Sequence, residues 1–291
     1  MIYGVPNESG PFFLTMDKNV AIQGWRAAFH EEAASKCFGE EIQIVECSTF
    51  QKLFDHLDQH RNDLAVMAIE NSVAGSILPN YARLRDSDLQ IIGEVYLRIE
   101  MNFMALPGQT TADIKEVHSH PIAILQSHKF FREHPNILAV ESDDTAYSAK
   151  LISEQGIKGR GALASRKAAD LYGLEILKAG VETNKRNFTR FLILEHGEQD
   201  SETVVNKASW SFRTTHSSGS LANALTILGS YNINLTKIQS LPVLGEEWKY
   251  YFYADLEFDD ASAYQKAKQE IAPYIYDLKI LGEYKQGDKY L

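Results

Sequence analysis

Residues 42–72 read IQIVECSTFQKLFDHLDQHRNDLAVMAIENS, and this stretch decides the fold class. Ile42 to Val45 is a short apolar run that suits a strand. Ser48-Thr49-Phe50-Gln51 has the form of a capping box with Ser48 as N-cap, since a hydroxyl there can accept an N–H that a first helical turn leaves unpaired. Phe50, Leu53, Phe54 and Leu57 then fall at i, i+3, i+4 and i+7, one helical stripe. Leu64 to Ile69 is again strand-like and runs into Glu70-Asn71-Ser72. A strand, a helix and a second strand within this length form a βαβ unit, so the polar triplet sits at the carboxyl end of a parallel strand. In open α/β sheets that edge binds ligands.

Working outward, the same alternation runs from Asn19 to about Leu194 and predicts a mainly parallel α/β sheet arrangement. Val20 to Ile22 opens it, followed by a helix from Ala27 to Cys37. Strands are expected at Ile91 to Val95, Phe103 to Leu106, Ile137 to Val140, Ala162 to Ala164 and Phe188 to Leu194. Helices are expected from Pro121 to Phe131, from a cap at Asp143 or Asp144 through Leu151, and from a cap at Ser165 to Tyr172. Residues 1–18, with Pro6, Gly10 and Pro11, read as an extension in which Met16 could be the natural start. The catalytic-size domain then spans 19–196, and the polar stretch 197–205 reads as a linker.

From residue 206 onward the pattern changes. Ala208, Trp210 and Phe212 alternate with polar residues as in a half-buried strand, and Leu221, Ala224, Leu225 and Leu228 form a helical stripe. A strand from Ile233 to Ile238, an alternating one through Phe252 to Phe258, a helix carrying Tyr264, Ala267 and Ile271, and a strand from Tyr276 to Leu281 complete βαββαβ, a ferredoxin-like unit over 206–291.

At 291 residues with 44% hydrophobic and 23% charged residues, the chain has ordinary globular composition and room for two domains. A formal charge of -10 argues against a nucleic-acid surface and against a polybasic membrane contact. Cys37 and Cys47 are the only cysteines and form no C-x-x-C pair, which favours a reducing cytoplasm over a disulfide framework or thiolate metal site. No apolar run approaches the roughly 18 residues of a membrane span. His118, His120, His128 and His134 cluster in sequence but straddle a strand, a turn and a helix with no carboxylate at ligand spacing, so no metal is expected. His56 and His60, flanked by Asp55 and Asp58, suit a solvated helix face.

The segment richest in chemistry is Asn187-Phe188-Thr189-Arg190-Phe191, with Glu70-Asn71-Ser72, Ser119-His120-Pro121 and Gln126. In this order and spacing, followed by Gly219-Ser220-Leu221-Ala222, they resemble the prephenate dehydratases, and the resemblance runs from about Val20 to Tyr284. It implies a two-lobed catalytic domain like the type II periplasmic binding proteins, followed by a ferredoxin-like ACT regulatory domain. The implied reaction expels carbon dioxide and water from prephenate to give phenylpyruvate in phenylalanine synthesis. Aromatisation drives it, so no cofactor is expected.

By the same resemblance Thr189 is the general acid on the departing hydroxyl, accompanied by Asn71, Gln126, Ser119 and Glu70. Ser72, Phe29, Arg190, Phe191, Thr145 and Ala164 are expected at the substrate. Several roles stay open on the residues alone: Arg190 either binds a carboxylate or braces the cleft, Glu70 is an acid or a turn residue, and Ser119 is a donor or a cap for the helix at Pro121. L-phenylalanine is the expected effector, at an interface between ACT domains of a homodimer or homotetramer. Its expected contacts are Gly219, Ser220, Leu221, Ala222, Asn234, Leu235, Gln239, Ser240, Leu241 and Pro242. An arogenate dehydratase and a non-catalytic two-lobed ligand-binding regulator are the alternatives.

Three departures stand out. The first loop of many family members reads Gly-Pro-x-Gly-Thr-Phe-Ser, against Gly24-Trp25-Arg26-Ala27-Ala28-Phe29-His30 here. Ile122 replaces a glutamine common after Ser-His-Pro. Gln239-Ser240-Leu241-Pro242 replaces Glu-Ser-Arg-Pro.

Overall fold

The computed structural model describes residues 18–197, 204–215 and 217–290. The extension up to residue 17, Met16 included, and residues 198–203 of the expected linker lie outside the described residues. In chain order the elements begin with β1 (Asn19–Gln23), α1 (Phe29–Phe38), β2 (Gln43–Cys47), α2 (Phe50–Gln59), β3 (Leu64–Asn71), β4 (Gly75–Ser76), α3 (Leu78–Asp86), β5 (Leu89–Arg98) and β6 (Asn102–Ala105). They continue with β7 (Glu116–Ser119), α4 (Pro121–Gln126), α5 (His128–Glu133), β8 (Leu138–Glu141), α6 (Thr145–Gln155), β9 (Arg160–Ala164), α7 (Arg166–Tyr172), β10 (Glu175–Lys178) and β11 (Phe188–His196). The last group is β12 (Lys207–Thr214), α8 (Ser220–Ser230), β13 (Asn234–Pro242), β14 (Tyr250–Glu257), α9 (Ala261–Ile271), β15 (Ile275–Tyr284) and β16 (Lys289–Tyr290).

One sheet has the order β16-β5-β11-β3-β1-β2, with β4 on β3, and its β1 runs parallel to β2 and β3. A second sheet, β10-β6-β9-β7-β8, is mixed: β7 pairs parallel with β8 and β9, while β6 pairs antiparallel with β9 and β10. The expectation of mainly parallel strands therefore holds for part of each sheet, and β10 was not visible as a strand because Glu175–Lys178 lacks an alternating pattern. Beyond β11, strands order as β13-β14-β12-β15, all antiparallel, with α8 and α9 over a core of Trp210, Phe212, Leu228, Leu256 and Tyr264. This is the expected βαββαβ ferredoxin-like unit.

The described residues divide into two compact units: those of 18–77, 95–191 and 289–290 in one, and those of 78–94 and 192–288 in the other. Within the second, the approach to the antiparallel sheet is tight. Tyr81 meets Tyr253 edge-on, Arg85 stacks 3.4 Å from the centre of the Tyr251 ring, and a Cβ added at Gly282 would lie 2.2 Å from Ile91 O. Lys207, almost fully buried, pairs there with Glu94 at 2.9 Å and Glu257 at 3.2 Å. Among the described residues no helix is long and apolar enough to cross a membrane.

Local expectations were mostly close, with instructive shifts. The N-cap of α2 is Thr49, whose hydroxyl accepts from Lys52 N at 3.2 Å, and Gln51 bonds Asp55 instead of closing a box at Ser48. Leu53, Phe54 and Leu57 are buried as their spacing demands, but Phe50 is half-buried and faces a cavity. The helix expected from Pro121 to Phe131 breaks at Ser127. Gln126 O accepts from Thr183 N at 2.8 Å and Lys129 N donates to Thr183 Oγ1 at 3.2 Å, so a distant loop takes groups that a continuous helix would pair internally.

The first loop carries local strain. Gly24 sits at φ +104, and an added Cβ would lie 2.8 Å from Asp144 Oδ2. Ala27 is at φ +66, a left-handed conformation that costs an L-residue about 1–2 kcal/mol. It is held there by Glu31, 3% exposed, which accepts from Ala27 N and from Arg26 Nε, and by Ser165, which donates to Ala27 O at 2.7 Å. The Ala27 methyl is fully buried, worth about 0.8 kcal/mol, and glycine would add about 0.5–1 kcal/mol of backbone entropy to lose. These offset the strain. Ala27→Gly should therefore leave the urea-derived unfolding free energy within about 1 kcal/mol of the parent, whereas branched Ala27→Val should lose more than about 2 kcal/mol. A gain above about 2 kcal/mol for the glycine variant would show that the methyl contributes nothing.

Candidate active site

A cavity of about 400 Å³ lies in the first unit, bounded by Gln23, Ala68, Asn71, Thr189 and Phe191 from one sheet and by Ile122, Ala123, Gln126, Asp143, Asp144 and Thr145 from the elements of the other. Ala28, Phe29, His30, Phe50, Ile99 and Met101 complete much of its wall. Asn71 stands at the end of β3 and Gln23 at the end of β1, the carboxyl edge singled out by the βαβ reading. Thr189 and Phe191 are i, i+2 on β11 and so share a face, which puts Arg190 on the other.

At the base of the cavity three side-chain amides close a ring. Asn71 Nδ2 donates to Asn187 Oδ1 at 2.7 Å, Asn187 Nδ2 to Gln126 Oε1 at 2.8 Å, and Gln126 Nε2 to Asn71 Oδ1 at 3.0 Å. Asn71 Oδ1 also accepts from Val73 N and Ala74 N at 2.9 and 2.8 Å. Because a backbone N–H can only donate, these two bonds settle which way the Asn71 amide faces, and the ring then settles the other two. The second Asn71 Nδ2 bond runs 2.9 Å to Thr189 Oγ1. Thr189 is 9% exposed, and with its oxygen accepting from Asn71 its own O–H is left to donate into the cavity.

Two titratable groups on the wall are displaced from ordinary values. Burial drives His30 down to about 3, so its ring is neutral; Nε2 accepts from Ala68 N at 3.2 Å, and the ring meets Phe50 and Phe191 edge-on at 5.8 and 5.0 Å. Burial raises Asp144 to about 6 against bonds from Tyr147 N and Ala146 N, with Glu46 and Asp143 adding repulsion. Asp144 is also the N-cap of α6, accepting from Tyr147 N at 2.9 Å. Nearby, burial opposes ionisation of Glu31, yet Arg26, Ala27 N–H and Lys167 outweigh it and hold the carboxyl below its usual range. Among the described residues no group of three or more His, Cys, Asp or Glu side chains is arranged to hold a metal ion.

Of the residues expected at the site, Thr189, Asn71, Gln126, Phe29, Phe191 and Thr145 line this cavity. Ser119, Glu70, Ser72, Arg190 and Ala164 do not. Ser119 is fully buried and donates to Leu163 O at 2.7 Å, and the cap of α4 is His120, whose Nδ1 accepts from Ile122 N. Glu70 pairs through its backbone with Ser76. Ser72 fastens the end of β3 to β11, its Oγ donating to Arg186 O and accepting from Phe188 N. Ala164 packs in an alanine-rich core with Ala27 and Ala168. Asn187, His30, Asp143 and Asp144 were not singled out for the site. Asn187 was legible in the Asn-Phe-Thr-Arg-Phe segment, but His30 and the two aspartates carry no spacing signal of their own.

In the second unit, a cavity of about 470 Å³ is lined by Thr214, Thr215, Ser217, Ser220, Leu221, Trp248, Tyr250 and Tyr276 among others. It includes Ser220 and Leu221 but not Gly219, Ala222, Asn234, Leu235 or Gln239 to Pro242. Gly219, at φ +83, is the N-cap of α8; Asn234, Leu235 and Gln239 to Pro242 all lie on β13, an edge strand.

A family model described as prephenate dehydratase matches residues 20–199. The chain is 33% identical over 287 residues to arogenate dehydratase 3, chloroplastic, of Arabidopsis thaliana, covering 91% of this chain and 66% of that relative. Among solved structures, prephenate dehydratase from Arthrobacter aurescens in complex with L-Phe superposes with a TM-score of 0.82 at 25% identity, covering 92% of this chain and 89% of the other. A protein described as a novel type of quorum quenching acylase superposes at 0.83 with 30% identity, covering 92% and 98%. The chain belongs to the prephenate dehydratase family. Its fold is the α/β fold of that family, followed by an ACT-type antiparallel sheet.

The raised Asp144 has a measurable consequence. A carboxyl whose folded pKa of about 6 exceeds its unfolded value of 3.8 contributes stability that is fully present below about pH 4 and is lost as pH rises through about 6. Asp144→Asn, which can still cap α6, should therefore be more stable than the parent at pH 7.5 by about 1–3 kcal/mol, with the difference gone at pH 4. Urea titrations at the two pH values check this, and an equal difference at both would rule out the burial effect.

Proposed function

We propose that this protein is a prephenate dehydratase, expelling carbon dioxide and water from prephenate to give phenylpyruvate. The observation that carries the reading is the Thr189 hydroxyl, which accepts from Asn71 Nδ2 and lines a largely apolar cavity. As the ring C–CO2 bond breaks, its electron pair moves into the ring and the C–OH bond breaks at the opposite carbon. The Thr189 proton goes to the leaving oxygen, which departs as water. A threonine hydroxyl is a weak acid, and the Asn71 donor stabilises charge that develops on Oγ1. The ring of amides makes that donor rigid, so little reorganisation is needed. Bonds that polarise one another around the ring strengthen the donor further.

The same geometry weighs against the acylase reading suggested by the structural neighbour. A threonine nucleophile needs a base to take its proton. Thr189 Oγ1 instead receives a proton donor from an amide, and His30 Nε2 is occupied by Ala68 N.

A second substrate has a specific observation in its favour. Among the described residues lining the cavity, the formally charged side chains are Asp143 and Asp144. Arogenate carries an ammonium where prephenate carries a keto group, and an ionised Asp144 attracts the first and repels the dianionic second. As pH rises through about 6, kcat/KM for prephenate should fall relative to that for arogenate, and Asp144→Asn should flatten the ratio. Turnover of both substrates from pH 5 to 8 decides between them. Thr189→Val, which keeps the shape and loses the hydroxyl, should lower kcat by about 100-fold or more on the preferred substrate. Near-full kcat in that variant, or turnover of neither substrate by the parent, would overturn the assignment.

We further infer that L-phenylalanine acts on the C-terminal unit of a cytoplasmic homo-oligomer, binding between ACT domains at the start of α8 and the end of β13. Support comes from the Arthrobacter aurescens relative, whose structure is in complex with L-Phe. The Leu221 and Ala222 N–H groups in the first turn of α8 suit an amino acid's carboxylate. With Gln239 and Leu241 in place of an acid and an arginine, the response should persist with altered strength. Calorimetry with millimolar L-phenylalanine should give binding that Gly219→Val abolishes. No heat with the parent, or binding untouched in the variant, would exclude this site.

A further inference from the structure

The first loop has lost a donor at Ala28, yet the next polar position of that loop, His30, carries one that the dehydration scheme above does not use. His30 lines the cavity, two residues beyond Ala28 and with its ring 5.0 Å from that of Phe191, which shares a strand face with Thr189. Its orientation is locked by three contacts from different elements: Ala68 N–H of β3 on Nε2, Phe50 of α2 and Phe191 of β11 on the ring.

These contacts decide the tautomer. A backbone N–H can only donate, so the nitrogen facing it must carry the lone pair, and in a neutral imidazole the proton is then on Nδ1. Burial keeps the ring neutral across the physiological range. Nε2 makes the sole hydrogen bond of this side chain among the described residues, so Nδ1–H has no acceptor among them.

We propose that His30 is a substrate-binding residue whose Nδ1–H donates to the side-chain carboxylate of the ligand in this cavity. The inference rests on the dehydratase reading and adds to it the group that holds the retained carboxylate. A neutral donor suits the task. It offers a hydrogen bond to an anion in a wall that holds carboxylates and no lysine or arginine among the described lining residues. The side-chain carboxylate is the right target because it persists through the reaction. A donor on the ring carboxylate would stabilise charge that must leave as carbon dioxide, whereas one on the retained group binds ground state and transition state alike. Its loss should therefore appear in KM far more than in kcat.

Two measurements test this. In imidazole nitrogen NMR of the intact protein, His30 should show a protonated Nδ1 and an unprotonated Nε2, and saturation with phenylpyruvate, which keeps the side-chain carboxylate, should move the Nδ1–H signal downfield. In kinetics, His30→Leu should raise KM about 10- to 100-fold, the usual worth of one hydrogen bond to a charged oxygen, with kcat reduced less than about 3-fold. His30→Asn, which can place an N–H near the same point, should recover most of that loss. A proton on Nε2, bound phenylpyruvate that leaves the signal unmoved, or a loss confined to kcat overturns the proposal while leaving the dehydratase reading intact. Failure to bind phenylpyruvate together with no turnover of prephenate or arogenate overturns the reading of the cavity and this proposal with it.

Discussion

The closed ring of hydrogen bonds among Asn71, Asn187 and Gln126 is the interaction on which the site depends. Each amide contributes one donor and one acceptor, so rotating any of them by half a turn would set donor against donor. Two backbone N–H groups on Asn71 Oδ1 choose between the two senses of the ring. With that choice made, the remaining Asn71 proton goes to Thr189 Oγ1, and the threonine O–H is left to donate elsewhere. The arrangement explains why α4 ends where it does: holding Gln126 in the ring goes with surrendering its carbonyl to Thr183 N and interrupting the helix at Ser127.

A second constraint acts on the opposite wall. The loop from Gly24 to His30 follows a path that keeps Ala27 in a left-handed conformation, and Glu31 supplies the carboxylate that makes the path affordable. Burial of Glu31 would favour its neutral form, but Arg26, Lys167 and the Ala27 N–H together keep it ionised. The loop therefore does not need the glycine usual at this place. Its rigidity carries forward into α1, where Phe29 and His30 reach the cavity.

The chemical character of the cavity follows from these two supports. It offers neutral, immobile donors and keeps formal positive charge away from the wall. Such donors cost no desolvation of an ion and stabilise charge where it develops, which suits a reaction whose substrate must lose one carboxylate and keep another. Asp144 tempers this, since it switches the local charge near pH 6 and links the capping of α6 to the electrostatics of the cavity.

The amino-acid sequence by itself determined the fold class and much of the element order. The apolar runs at Leu64 to Ile69 and Phe188 to Leu194, the stripe of α2 and the alternation through Trp210 and Phe258 are local periodicities, and a strand or helix that buries one face must write that period into the chain. It also placed Asn71 at a strand's carboxyl end and made Thr189 conspicuous. Elements without such a period went unseen: α3 is half polar, and β10 is four residues long. What only the tertiary structure decided is which polar residues meet. Ser119 and Gln126 looked alike in sequence, yet one is buried against Leu163 O and the other joins the ring. Burial made His30 neutral and raised the Asp144 carboxyl, while residues remote in the chain set the details: Ala68 N, 38 positions from His30, bonds its Nε2, and Glu46, 98 positions from Asp144, adds repulsion. Hydrogen bonding and desolvation depend on distances of a few ångströms between residues remote in the chain, and no local pattern encodes those.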